Sequence, residues 1–166
     1  MTSDRKTIGG LDHIGLTVPD IELATAFFND VLGCTTLFDV GPFEANDNWM
    51  TDYLAVDARA KLPKVRMLKT ASGGMLELFQ YQTKDQVTIP PRNSDVGGHH
   101  VCFYVEDMEA ALAHLRAHGV KLLAGPVHMT EGPSAGLSWI YFMAPWGMQL
   151  ELASYPHGMA YQTSMQ

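Results

Sequence analysis

The chain has 166 residues, 46% hydrophobic and 17% charged, with 18 acidic against 11 basic side chains and a formal net charge of −7. That length fits one domain or two small, closely packed modules, and the composition is that of a globular chain. The acidic balance, with no cluster of Lys and Arg, argues against a nucleic-acid partner, and no apolar run approaches the roughly 18 residues of a membrane span.

The amino terminus, MTSDRKTIGG, has no apolar core of the kind a signal peptide needs, so a cytoplasmic chain is expected. Cys34 and Cys102 lie far apart without a CxxC pattern and read as buried packing thiols in a reducing compartment. The first element is LDHIGLTV at 11–18. Ile14, Leu16 and Val18 alternate onto one face, and His13, Gly15 and Thr17 onto the other, which describes a half-buried strand. Asp20 then stands at an N-cap position before Ile21, Ala24, Phe27, Phe28, Val31 and Leu32 at helical spacing, and Gly33 ends that helix.

Next come EANDNWMTDYLAVDARAKL at 44–62, and then KVRMLKT, the turn ASGG and MLELFQY, which read as a hairpin. The polar stretch 82–98, with Pro90-Pro91 and Gly97-Gly98, reads as a linker. Beyond it the same grammar returns. Val101, Phe103 and Val105 share one strand face and His100, Cys102 and Tyr104 the other. Asp107 caps a helix carrying Met108, Ala111, Leu112 and Leu115 that closes at Gly119, and LSWIYFMA, PWG and MQLELASY form a second hairpin. His13 and His100, Val18 and Val105, Asp20 and Asp107, and Glu22 and Glu109 recur at one constant interval, so one module is written twice. The fold class expected is α+β: two tandem βαβββ modules, 8–81 and 99–156, joined by linker 82–98, with a tail at 157–166. The segment 44–62 gives the first module about 13 residues without counterpart and is a candidate lid or pocket wall.

Period-two geometry then carries the functional reading. The apolar face of each first strand lies under its own helix, so His13 and His100 point to the opposite side of the sheet. Leu76-Glu77-Leu78 and Leu150-Glu151-Leu152 repeat the pattern, sending Glu77 and Glu151 to the same side as the histidines. Two imidazoles and two carboxylates suit one divalent transition metal per chain (Zn, Ni, Co, Fe or Mn), whereas Ca or Mg would favour oxygen donors alone. Four protein ligands around an octahedral ion leave two positions open, as catalysis requires.

LDHIGLTVPDIELATAFFNDVLGC, MLELFQY, GGHHVCFYVEDMEAALAHLRAHGV and APWGMQLELASYP resemble the vicinal oxygen chelate superfamily, the group of glyoxalase I, methylmalonyl-CoA epimerase, extradiol dioxygenases and bleomycin- and fosfomycin-resistance proteins. The resemblance covers residues 8–156. It implies paired βαβββ modules in a cupped mixed sheet with helices outside, one metal, and a homodimer acting on a small carbonyl compound. His13, Glu77, His100 and Glu151 match the metal-ligand positions. By the same resemblance Glu77 or Glu151 is the catalytic base, moving a proton beside a carbonyl through a metal-stabilised enolate. A Glu at position 77 favours the isomerase, epimerase and lyase branch over an Fe(II) dioxygenase, in which His13, His100 and Glu151 would be the triad. Glyoxalase-I-like lyase chemistry fits less well, because Thr17 and Tyr81 stand where that enzyme carries an Arg and an Asn for glutathione. The insertion around Trp49 and Tyr53 departs from methylmalonyl-CoA epimerase and leaves a polyol or sugar-like ketone open as substrate. A ligand-sequestering protein of the bleomycin-resistance kind is the reading from a different class. Arg92, Trp49, Trp139 and Tyr104 are secondary pocket candidates, and the loop 129–136 is a candidate mobile rim.

Overall fold

A computed structural model describes residues 9–163. The chain divides into two compact units, Met1–Gln86 and Val87–Gln166. Residues 1–8, with the signal-peptide question and the first residue of the expected module, lie outside the described part, as do the last three residues of the tail.

In the first unit β1 (His13–Thr17) leads into α1 (Ile21–Ala26), followed by β2 (Thr35–Val40), α2 (Trp49–Leu54), β3 (Lys61–Lys69) and β4 (Met75–Gln82). The sheet order is β1-β4-β3-β2, with β1 parallel to β4 and the other pairs antiparallel. The Asp20 carboxylate accepts from the amides of Glu22 and Leu23, a cap that stabilises a helix by about 1 kcal/mol. Ile21, Ala24, Phe27 and Phe28 are buried together with Leu16, Leu68, Leu76 and Leu78, which forms the core between helix and sheet.

The expected helix runs on only in part. After Ala26 it widens into a five-residue π-helical turn, Phe27–Val31. Phe27 and Phe28, which open this turn, are both buried. Gly33, at φ +68°, then reverses the chain as the sequence suggested.

The second unit repeats the scheme with β5 (Val101–Tyr104), α3 (Met108–Ala117), β6 (Lys121–Leu122), β7 (Val127–His128), β8 (Ser138–Met143) and β9 (Gln149–Ser154). Its order, β5-β9-β8-β6 with β7 added on β8, is the order of the first unit. Asp107 caps α3 by accepting from the Ala110 amide. The matched hydrogen bonds Val18 N–H to Phe79 C=O and Val105 N–H to Ala153 C=O close both first strands at the same place. Each unit is therefore a βαβββ module of α+β class.

Two expectations change. Cys34 is buried, but Cys102 is exposed on its sheet and is not a core thiol; both are free. The loop 129–136 is pinned, because the short helix α4 (Ala160–Thr163) donates Ala160 N–H to Ala135 C=O and Tyr161 N–H to Pro133 C=O. A Cβ on Gly136 would meet the Gly158 carbonyl at 2.6 Å, so this crossing requires glycine. The tail, unreadable in sequence, is the clamp on that loop. Among the described residues no helix is long and apolar enough to cross a membrane.

Candidate functional site

Each unit presents one sheet face away from its helix, and on it a histidine meets a glutamate. His13 opens β1, and its Nε2 lies 3.2 Å from Glu77 Oε2 on β4. His100 stands immediately before β5, with its Nε2 2.8 Å from Glu151 Oε2 on β9. The register explains both pairs. Gly15 is opposite Glu77 and Cys102 opposite Glu151, so each histidine, two residues earlier, shares the glutamate's face. The flanking leucines of each Leu-Glu-Leu triplet are buried beneath the helices, as the alternation requires.

Both carboxylates are largely withdrawn from water, with side-chain exposures of 23% for Glu77 and 15% for Glu151. Among the described residues neither forms an ion pair with Lys or Arg; the ion-pair partner of each is its histidine. Burying a carboxylate without a cation is costly, so each face has an unmet demand for positive charge.

The other nitrogen of each ring is also engaged. His13 Nδ1 lies 2.8 Å from Asp12 Oδ2, and His100 Nδ1 lies 3.1 Å from Asn93 Oδ1. A carboxylate and an amide oxygen can only accept, so each is the partner that an Nδ1–H tautomer requires. A neutral imidazole has one N–H, yet each ring faces acceptors at both nitrogens. The second acceptor, the glutamate, is satisfied only by a second proton or by a metal ion at Nε2. The Asp12 carboxylate, bonded to the ring, holds the His13 imidazole above its ordinary value, and Glu77 adds to the rise against the opposing effect of burial. Histidine that donates Nδ1–H to an oxygen while Nε2 faces a carboxylate is the arrangement of a metal-ligating imidazole with its outer-sphere partner.

Among the described residues no group of three or more His, Cys, Asp or Glu side chains is assembled that could hold a metal ion. The structure supplies two donors in each unit.

The remaining candidates divide. Trp139 and Tyr104 lie on the donor face of the second unit, joined there by Tyr141, which the register sets opposite Glu151 and whose ring meets the His100 ring edge-on at 5.0 Å. Cys102 shares this face. Its thiol is pushed up to about 12, first by burial, then by the charge and hydrogen bond of Glu151. In the first unit the equivalent face carries Met67, Val65, Phe79 and Tyr81. Trp49 lies in the insertion, stacked between Phe43 and Tyr53 at ring separations of 6.3 and 5.3 Å. Met50, Ala60 and Leu62 of the same segment pack on Val65, Phe79 and Tyr81, so the insertion forms a wall over one end of the donor face. Arg92 is exposed and is spent on Asp95, with Nη2 to Oδ1 at 2.7 Å. His99 bonds the Gly97 carbonyl, His118 the His114 carbonyl and His128 the Ser138 hydroxyl, so none joins either pair. Sequence reasoning missed Asp12, which alternation assigns to the opposite face, and Asn93, hidden in the linker. It also missed Tyr141, whose place opposite Glu151 was readable from the hairpin register.

These features have relatives. Residues 12–153 match the model of the Glyoxalase/Bleomycin resistance protein/Dioxygenase superfamily, and the chain belongs to that superfamily. It is 44% identical over 151 residues to a 2-epi-5-epi-valiolone epimerase of Actinomyces sp, covering 90% of this chain and 81% of the relative. It is 30% identical over 119 residues to an ethylmalonyl-CoA/methylmalonyl-CoA epimerase of Cereibacter sphaeroides, covering 70% and 75%. A glyoxalase family protein from Bacillus cereus shares the fold with a TM-score of 0.70 at 19% identity, over 92% of this chain and 97% of that one. A fosfomycin resistance protein of Listeria monocytogenes, solved with Mn(II) and sulfate, shares it with a TM-score of 0.55 at 18% identity, over 89% and 93%.

Proposed function

We propose that this chain is a metal-dependent epimerase acting on a small polyhydroxylated ketone, 2-epi-5-epi-valiolone or a close cyclic analogue. The observation that carries the chemistry is the matched pairing, in each unit, of a largely buried carboxylate with the Nε2 of an imidazole whose Nδ1 is already engaged. The substrate class rests on the 44% identity to the valiolone epimerase across most of the chain.

In this reading His13, Glu77, His100 and Glu151 are the four protein ligands of one divalent transition ion. Each pair alone offers two donors, fewer than the three or four of resident sites, and the reading therefore assigns both pairs to one ion. When bound, the ion supplies a Lewis acid that polarises the ketone and stabilises the charge left as the neighbouring proton departs. The chain does the rest. Glu77 or Glu151 takes the proton from the carbon beside the carbonyl, a solvent water gives one to the opposite face, which inverts that carbon, and the protonated glutamate passes its proton to the hydroxide left behind. On the second unit Trp139 and Tyr141, with ring centroids 5.2 Å apart on the glutamate's face, offer ring faces and a hydroxyl to a hydroxylated ring. The family resemblance extends the reading to a homodimer, which sedimentation of the purified protein checks.

The test is epimerisation of 2-epi-5-epi-valiolone in deuterium oxide, with Mn(II), Co(II), Ni(II), Zn(II) or Fe(II) added back to chelator-stripped protein. Deuterium should enter at the carbon beside the carbonyl without oxygen uptake, with close to one ion bound per chain. Absence of exchange with every ion would overturn the epimerase reading; oxygen consumption would move the chain to the dioxygenases.

A further inference from the structure

Segment 82–98 has the composition of a flexible linker, yet its second half is a closed loop. Arg92 N–H donates to Asp95 Oδ2 at 2.9 Å, its guanidinium grips the same carboxylate, and the Asp95 N–H returns to the Arg92 carbonyl at 2.9 Å. Gly98 N–H then donates to the Asp95 carbonyl at 2.7 Å. A Cβ on Gly98 would meet the Arg92 carbonyl oxygen at 2.1 Å and that of Asp95 at 2.8 Å, so the loop closes only with glycine there. Asn93 sits inside this clip, and its Oδ1 meets His100 Nδ1. In the first unit the same task falls to Asp12, the residue preceding His13. Two unrelated pieces of chain thus deliver an acceptor oxygen to the same nitrogen of two equivalent rings.

We propose that Asp12 and Asn93 are positioning residues that fix the tautomer of the two histidines. Each holds its ring's Nδ1 proton, which leaves Nε2 unprotonated on the glutamate side and available to a metal. The inference rests on the metal reading above. It also predicts an asymmetry. Asp12 sets a carboxylate against the His13 ring, whereas Asn93 sets a neutral amide oxygen against the His100 ring. Asp12 is mostly exposed and Asn93 is exposed, so neither is needed for packing.

The experiment is Co(II) binding to full-length, chelator-stripped protein, read by competition with a chromophoric chelator and by the visible Co(II) absorption bands, with melting temperature measured alongside. Asp12→Ala and the near-isosteric Asn93→Leu should each weaken Co(II) binding by about 10- to 100-fold and shift the bands, at little change in melting temperature. Asn93→Asp and Asp12→Asn, which keep the acceptor oxygen, should stay within a few-fold of the parent. Should an Ala or Leu variant melt early, Asn93→Gln, which retains the amide but misplaces it, takes its place with the same expected loss. Parent-like affinity and spectra in the acceptor-deleted variants would overturn the positioning role while leaving the ion site standing. Failure of the parent protein to take up Co(II) would overturn the ion site and this inference with it.

Discussion

Arg66 in the first unit and Ile140 in the second occupy the same place in the sheet, the first opposite Leu78 and the second opposite Leu152. Arg66 is buried and makes a bidentate bond to Asp39 at 2.6 and 2.7 Å. It also bonds Glu22 at 2.8 Å and the Thr25 hydroxyl at 3.0 Å. Ile140 is buried as well, opposite the equally apolar Leu152. The helix-covered side of the module thus accepts either an ionic network or plain aliphatic packing. The opposite side varies as well, but by exchange of volume. Gly15 lies under the Phe79 ring, 3.1 Å from where its Cβ would be, whereas the matching places of the second unit hold Cys102 and Ala153. Against this freedom on both faces, His and Glu stand unchanged in both units. Packing does not demand them there, so a shared chemical task is the better account of their repetition.

The comparison breaks hardest at the glutamates. Glu77→Gln and Glu151→Gln should each lower epimerase turnover, by about 100- to 10,000-fold for the one that moves the proton. The single variant that still exchanges substrate deuterium at a measurable rate identifies the ligand rather than the base. Turnover equal to the parent in both would end the claim that the repeated pair is catalytic.

Next in size is the ionic network. Arg66→Ala should cost about 2 kcal/mol in urea unfolding, less than a fully buried pair because Glu22 and Asp39 keep contact with water. Arg66→Ile, which copies the second unit, should cost less than the Ala variant. The pH dependence has a definite sign. Arg66 bonds hold the carboxyls of Asp39 and Glu22 below their usual values, with Lys64 adding to the effect. Their contribution is therefore present at neutral pH and is lost as pH falls through those lowered values. The parent should lose stability on the acid side more steeply than Arg66→Ile; parallel acid limbs would remove the network from the account.

A smaller effect separates the donor faces. Cys102, exposed but with its thiol pushed up to about 12, should react with a thiol reagent at pH 8 far more slowly than a free cysteine. Glu151→Gln should speed that reaction, since it removes the charge that helps to hold the thiol up. Smallest is Gly15→Ala, which forces the Phe79 ring to yield by a few tenths of an ångström. It should cost under about 1 kcal/mol by thermal melting, and a larger loss would mean that the glycine also serves the backbone.

The sequence by itself determined what depends on neighbours along the chain. Alternation assigned His13, Glu77, His100 and Glu151 to the sheet faces away from the helices, Asp20 and Asp107 to the caps, and Gly33 and Gly119 to the reversals, because strand period and cap chemistry are local. Tertiary structure alone decided which side chains meet across distance. The insertion becomes a wall because Met50 finds Val65, Phe79 and Tyr81. Asn93 reaches His100 because a loop that reads as flexible is closed by two backbone bonds, the Arg92 amide's bond to the Asp95 carboxylate and a glycine. Composition carries no record of such contacts, since they are fixed by the mutual fit of segments and not by the preference of any one of them.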